Sequence, residues 1–320
     1  MKKFLVRTFF FFFPFVVISY PLDYGISYFL SKSNDASGEF EVWSDIYSSK
    51  VNCDIAIYGS SRAWVHIDPQ IIADSLNQSV YNFGINGHNF WLQYLRHLEL
   101  EKHNKSPKVI VLSVDVFSLQ KREDLYNPDQ FLPYMLWNSN IANFTKSYKG
   151  YNGTDYYIPL IRYAGKFEAL KSSIKHAVMN TSDIHYRTNG FKGMDREWNT
   201  DLEKAKSNNV SYEIELDNKS IELFELFIQE CDANHTDLIL VYTPEYIDGQ
   251  NYVSNRKDVI DIYKNLAVKY QLTFLDYSND SICLNKQLFY NASHLNKKGA
   301  CVFSKKLAKD IKYERIMTQL

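Results

Sequence analysis

Two short stretches, far apart in the chain, hold side chains that can do chemistry together. The first is Gly59-Ser60-Ser61-Arg62-Ala63, which closes the apolar run Ile55-Ala56-Ile57-Tyr58. Small residues there allow a tight turn that lifts a serine hydroxyl to the end of a buried strand. The second, Phe289-Tyr290-Asn291-Ala292-Ser293-His294-Leu295-Asn296, offers a histidine ahead of a final helix. A serine hydroxyl is a poor nucleophile at its own pKa and becomes a useful one when an adjacent base takes its proton. Neither stretch is distinctive alone. Gly-Ser-Ser is an ordinary turn, and the chain has eight histidines.

Such residues meet only if the elements between them end at one edge. β-branched runs at 108–114 and 237–242, with shorter ones at 79–83 and 272–275, read as strands beside the one that ends at Gly59. Helical spacing of apolar residues covers 90–103, 221–234 and 256–270, and Asp68-Pro69 opens a helix over 68–76. A last helix is expected at 301–311, with 289–294 as a loop before it. This alternation predicts an α/β fold with about five parallel strands joined by right-handed crossovers. The turns bearing Ser61, Gly87, Asp115, Pro244 and His294 then share the carboxyl edge, where open α/β folds place ligands. Alternation lapses between about 119 and 218, which reads as an insertion or cap over the site, or as a packing embellishment away from it.

The amino end has its own pattern. Residues 1–8 carry Lys2, Lys3 and Arg7, and a strongly apolar run follows, interrupted by Asp23. Residues 9–30 approach the ~20 needed to span a bilayer. No small-x-small cleavage site follows the run, so an uncleaved anchor is favoured over a signal peptide. The basic end stays in the cytoplasm and the rest lies outside, in the periplasm or at the cell surface. Residues 31–50 read as a stalk or a first helix, and 51–320 as the α/β domain.

The 36 Lys and Arg against 37 Asp and Glu argue against a nucleic-acid partner, which favours a basic excess. Cys53, Cys231, Cys283 and Cys301 show no zinc-ligand spacing and are expected as free thiols. No P-loop, dinucleotide fingerprint or metal-ligand spacing is present, so no cofactor and no metal are expected.

In their order along the chain, Gly-x-Ser after the first strand, Asn82-x(4)-Gly87 after the second, and Asn291-x-x-His294 before the last helix resemble the SGNH/GDSL hydrolase superfamily. Gly59-Ser60-Ser61-Arg62-Ala63 with His294-Leu295-Asn296-x-x-Gly299-Ala300 is similar to its membrane-anchored bacterial branch, which includes proteins related to alginate O-acetylation factors and to teichoic-acid D-alanyl transfer proteins. The resemblance covers roughly 51–118 and 219–311. It implies a flavodoxin-like three-layer parallel sheet of SGNH type, with an N-terminal transmembrane helix and the large insertion. It also implies Ser61 as nucleophile, His294 as general base, and the amides of Ser61 and Gly87 as oxyanion donors, each typically worth ~10²–10³ in turnover.

Two positions depart from the pattern. Asn291 stands where the family has a carboxylate, and in a serine triad that replacement lowers turnover by about 10⁴, largely through the wrong tautomer. Val114-Asp115-Val116 stands where the family often has an oxyanion-hole asparagine, a part open to Asn86 or Asn89. Asp276 is a second source of a carboxylate or a strand-end cap. Arg62, Asn89 and Asp115 are candidate substrate contacts, with Arg62 equally suited to pairing within the fold. The expected activity is ester hydrolysis or O-acyl transfer on cell-surface glycan, beside a polytopic membrane acyltransferase. The alternative is an impaired envelope protein that binds glycan or such a partner.

Overall fold

The computed structural model describes residues 1–33, 36–179, 185–208 and 211–317. The chain forms two compact units: Met1–Ser44 with Glu123–Tyr186, and Asp45–Arg122 with Arg187–Leu320.

The second unit is built on five parallel strands, β1 (Ile55–Gly59), β2 (Val80–Asn82), β3 (Val109–Val114), β4 (Asp237–Tyr242) and β5 (Thr273–Asp276), in the order β2-β1-β3-β4-β5. That is the flavodoxin-like order, in which the chain leaves β1 to one side and returns through β3 on the other. The switch between β1 and β3 opens a crevice at the strands' carboxyl ends.

Both faces of the sheet are covered, so its central strands are apolar throughout rather than alternating. On one face Ile55, Ile57, Val109, Val111, Ile239 and Val241 join the core with residues of three helices, Ser61–His66, Pro69–Leu76 and Lys297–Met317. On the other, the Tyr58 ring meets Phe227, and Phe90 meets Phe224 with ring centres 4.7 Å apart. These bring in the helices Phe90–His103 and Asn218–Ala233.

Three features differ from the expectations. A helix starts at Ser61, directly after β1. This junction requires a glycine: Gly59 has φ +142°, and a Cβ there would lie 2.7 Å from the Ser113 carbonyl oxygen. The stretch expected as a loop forms an antiparallel pair, β6 (Phe289–Asn291) and β7 (His294–Leu295), and the last helix begins at Lys297 rather than Cys301. Finally, the stretch 119–218 is divided between the units. Its later part borders β2, β6 and the start of the last helix, with Asn82 N donating to Asn189 O at 2.9 Å, Lys297 N to Met194 O at 2.9 Å, and Asn199 N to Tyr290 O at 2.9 Å. One backbone group on the outer edge of β2 is paired in this way.

In the first unit, the helix Lys2–Leu30 is long and apolar enough to cross a membrane. Its last turns are covered by the unit: Asp23, Ser27 and Leu30 are buried, and Arg162 meets the Asp23 carboxylate through both terminal nitrogens, at 2.7 and 2.6 Å. A carboxylate in an apolar helix is tolerated because it is paired. The stretch read as a stalk or a first helix holds the helix Glu39–Tyr47, whose Phe40, Val42, Trp43 and Ile46 are buried. Trp43 Nε1 donates to Gln130 Oε1 at 3.1 Å, so this helix is packed structure.

Candidate active site

Ser61 is the first residue of its helix, and the turn beneath it is held from below. The Ser60 hydroxyl caps the helix by accepting from Arg62 N at 3.2 Å and donates to Asp115 Oδ2 at 2.6 Å. Asp115, at the end of β3, is buried, and its other oxygen accepts from Phe117 N at 2.8 Å. Tyr263 donates to the Asp115 carbonyl at 2.9 Å. Asp115 therefore spends its carboxylate on the serine turn. It is not placed as a substrate contact, and its oxygens are satisfied by Ser60 and Phe117, so it does not face an oxyanion.

His294 Nε2 lies 2.8 Å from Ser61 Oγ, and its Nδ1 lies 3.0 Å from Asn291 Oδ1. The same Asn291 oxygen accepts from Ser293 N at 3.0 Å and from His294 N at 2.8 Å. These two backbone donors fix which end of the amide faces the ring. An amide NH2 in that position would meet two N–H groups, so the oxygen must point inward. The inward oxygen then calls for a proton on Nδ1, which leaves the Nε2 lone pair facing the serine hydroxyl. The tight turn between β6 and β7, closed by the asparagine side chain, thus selects the tautomer that a base needs. Sequence alone gives no sign of this, because the choice depends on backbone geometry.

Burial and the nearby Arg62 guanidinium pull the His294 pKa down to about 4, with Glu245 opposing weakly. The imidazole is neutral at pH 7. Its flat face stacks on Tyr290, with centres 5.4 Å apart and planes within 12°.

A second histidine, overlooked in the sequence, positions the first. His66 is fully buried at the end of the Ser61–His66 helix. Its Nε2 accepts from Leu295 N at 3.0 Å, and its Nδ1 meets Thr243 Oγ1 at 3.0 Å. Desolvation, then Arg62 and His294, push its pKa well below the ordinary value, in keeping with a neutral ring that accepts at Nε2. Arg62 Nε donates to the same Thr243 hydroxyl at 3.0 Å. The arginine is buried, ion-paired to Glu245 Oε1 at 2.9 Å, and lies over the Tyr242 ring. Of its two expected roles, the structure gives Arg62 the internal one. The helix carrying Ser61 and the strand carrying His294 are thereby tied together through His66 and Thr243.

The remaining expected residues are placed as follows. Ile85 N donates to Gly59 O at 2.9 Å, which carries the half-buried Asn86-Gly87 turn past the end of β1. Gly87 has φ +73°, and its carbonyl accepts from Arg122 at 2.9 Å. Asn89 is buried at the start of the Phe90–His103 helix with its amide donating to Gln120 O, so it is structural rather than substrate-facing. Asp276 caps its own strand end by accepting from Ser278 N at 3.0 Å and pairing with Lys264. Beside β6 lies a cleft of about 770 Å³, lined by Arg196, Trp198, Lys286, Phe289, Lys297 and Lys298 among others. Arg196 reaches over Tyr290, the ring stacked on His294.

No family model matches the chain, and no curated protein matches it. Among solved structures, it is similar to a proposed platelet activating factor from Streptococcus pneumonia (15% identity, 85% of this chain and 90% of the other, TM-score 0.43). It is also similar to a proposed lipolytic protein of the G-D-S-L family from Desulfitobacterium hafniense (11% identity, 81% and 99%, TM-score 0.40). A third similar structure is an acetyl xylan esterase (14% identity, 81% and 98%, TM-score 0.39). These likenesses are remote, and the reading of the site stands on its own geometry.

Proposed function

We propose that the chain is a membrane-anchored serine enzyme of SGNH type that cleaves or transfers acyl groups held in ester linkage. The observation that carries this reading is the Ser61 Oγ to His294 Nε2 contact of 2.8 Å, with Asn291 Oδ1 on the far ring nitrogen. In attack, the Ser61 oxygen bonds to the ester carbonyl carbon while its proton passes to His294 Nε2. The amides of Ser61 and Gly87, with Asn86 at hand, are the proposed donors to the resulting oxyanion. Collapse expels the alcohol, which takes the proton back from Nε2 and leaves an acyl-Ser61 ester. A water or sugar hydroxyl, deprotonated by the same nitrogen, then releases the acyl group and restores the serine.

The preferred substrate is an acylated cell-surface polysaccharide. The cleft beside β6 supports that choice, since it sets the Trp198 ring among polar and charged side chains of both signs, Asp195 and Glu197 as well as Arg196 and Lys286, and such a flat, amphipathic ring suits a hydroxyl-rich chain. The N-terminal helix is the proposed anchor, with the second unit outside the cytoplasmic membrane and a polytopic acyltransferase as the donor-side partner of a transferase. The test is steady-state hydrolysis of p-nitrophenyl acetate by the full chain in detergent. Wild type should turn over and Ser61→Ala should not. Equal turnover in both would sink the reading, and turnover in neither would favour a glycan-binding protein.

A further inference from the structure

We propose that the first unit sits in the lipid interface through a collar of apolar and aromatic side chains around its N-terminal helix, giving the bilayer a second contact besides the anchor. The inference rests on reading that helix as an anchor. Apolar side chains from Phe4 to Leu22 are largely exposed, whereas Asp23 is buried. Because Asp23, Ser27 and Leu30 are buried, the uncovered stretch lies nearer the amino end than the 9–30 read from the sequence. Residues 4–22, with Arg7 in their first turn, rise about 28 Å, close to the ~30 Å hydrocarbon core of a bilayer. The level where the helix enters the unit is therefore the level of the interface.

That level is where the unit places its uncovered apolar groups. Trp137 stacks on Tyr20 with ring centres 5.2 Å apart, and its Nε1 donates to Tyr157 O at 3.0 Å. Leu160 N donates to Asp23 Oδ2 at 2.7 Å, which brings the 157–161 loop to the same turn of the helix. Trp137, Tyr157, Ile158 and Ile161 are 58%, 64%, 47% and 42% exposed. The helix Phe167–Met179 packs against the same end, with Ser173 Oγ donating to Ile26 O at 3.0 Å. It buries Ala169 and Ser173 and leaves Phe167, Ile174 and Val178 exposed, a spacing of seven and four that puts them on one face.

The bilayer is the occupant because this surface continues directly from a membrane-length apolar helix and has an interfacial composition. Trp and Tyr collect at the boundary between hydrocarbon and water. Exposed Lys171 and Lys175 border one side of the apolar face of the Phe167–Met179 helix, where they can meet anionic headgroups. The buried Asp23–Arg162 pair clamps the anchor to the collar, so both contacts act as one body.

The full chain, reconstituted in phosphatidylcholine–phosphatidylglycerol vesicles, provides the test. Tryptophan emission is compared in lipids brominated near the headgroup and near the chain end, for wild type, Trp137→Phe and Trp198→Phe, after alkaline carbonate extraction. Carbonate-resistant protein with stronger quenching by the shallow bromines, lost in Trp137→Phe and kept in Trp198→Phe, is the expected result. Carbonate-resistant protein whose quenching is unchanged by Trp137→Phe overturns the collar and leaves the anchor standing. Protein released by carbonate overturns the anchor and the collar with it.

Discussion

Replacing Asn291 by Asp tests the electrostatics of the site in isolation, because the two side chains have the same shape and the acceptor oxygen keeps its three donors. The change adds one negative charge beside the imidazole, across a 3.0 Å contact from Oδ1 to Nδ1. With charge centres about 4 Å apart, a pair near a protein surface interacts by about 4 kcal/mol, or roughly three pKa units. Both groups are half-buried, so screening by solvent reduces this to about two units. The sign follows from the role of Nε2. A protonated imidazole cannot accept the serine proton, so kcat/KM falls as pH drops through the His294 pKa. In wild type that acid limb lies at about 4. In Asn291→Asp it should rise to roughly 6, on the stated two-unit shift.

The same charge stabilises the imidazolium formed during attack, so turnover at pH 8 should increase by about 10- to 100-fold, each tenfold corresponding to 1.36 kcal/mol. A much larger gain, near the 10⁴ seen where asparagine imposes the wrong tautomer, would refute the claim that the β6–β7 turn already sets the right one. An acid limb that stays at its wild-type position would refute the electrostatic account. Stopped-flow or plate-based hydrolysis of p-nitrophenyl acetate from pH 3.5 to about 8.5, the range set by the expected limbs, reads both quantities.

Three further variants examine the supports of the site. Arg62→Met leaves the buried Glu245 carboxylate, among the described residues, with Arg256 at 3.3 Å and the Tyr242 hydroxyl, and should cost about 3 kcal/mol in denaturant unfolding; a stability within error of wild type would contradict the assigned internal role. Gly59→Ala forces a Cβ toward the Ser113 carbonyl at positive φ and should lower stability by about 2 kcal/mol in the same assay, whereas an unchanged midpoint would argue against the tight β1 junction. His66→Phe removes the acceptor for Leu295 N and should lower kcat about tenfold with KM held and the acid limb unmoved, since burial and Arg62 disfavour a charged His66; a shifted limb would mean that His66 itself titrates in the reaction.

What the sequence made legible follows from how local each signal is. The β-branched runs of β1, β3 and β4, and the apolar spacing of Phe90–His103 and Asn218–Ala233, are contained within their own residues and were readable. The Ser61–His66 helix was not, because six residues holding Arg62, Trp64 and His66 show no apolar period. Pairing of 189 with β2 and of 194 with Lys297 depends on contacts distant in sequence, so the stretch 119–218 looked like one insertion. Within the site, Ser61 and His294 could be singled out by motif order, but the purpose of Asn291 could not. Its chemistry as a residue type argues for a weakened site, and only the two backbone donors on its oxygen show which way the amide faces. His66 and Thr243 carry no usable signal, since a lone histidine or threonine gains a role only from what it touches, and Asp115 is marked by its place at a strand end while its bond to Ser60 is not.

The central claim is that Ser61 is a nucleophile activated by His294. Fluorophosphonate labelling of the full chain, followed by peptide mass spectrometry, tests it most directly. The account predicts an adduct on the Ser61 peptide in wild type, its absence in Ser61→Ala, and a strong loss in His294→Ala with the fold intact by circular dichroism. An adduct on another serine, or labelling of Ser61 that is indifferent to His294, would contradict it.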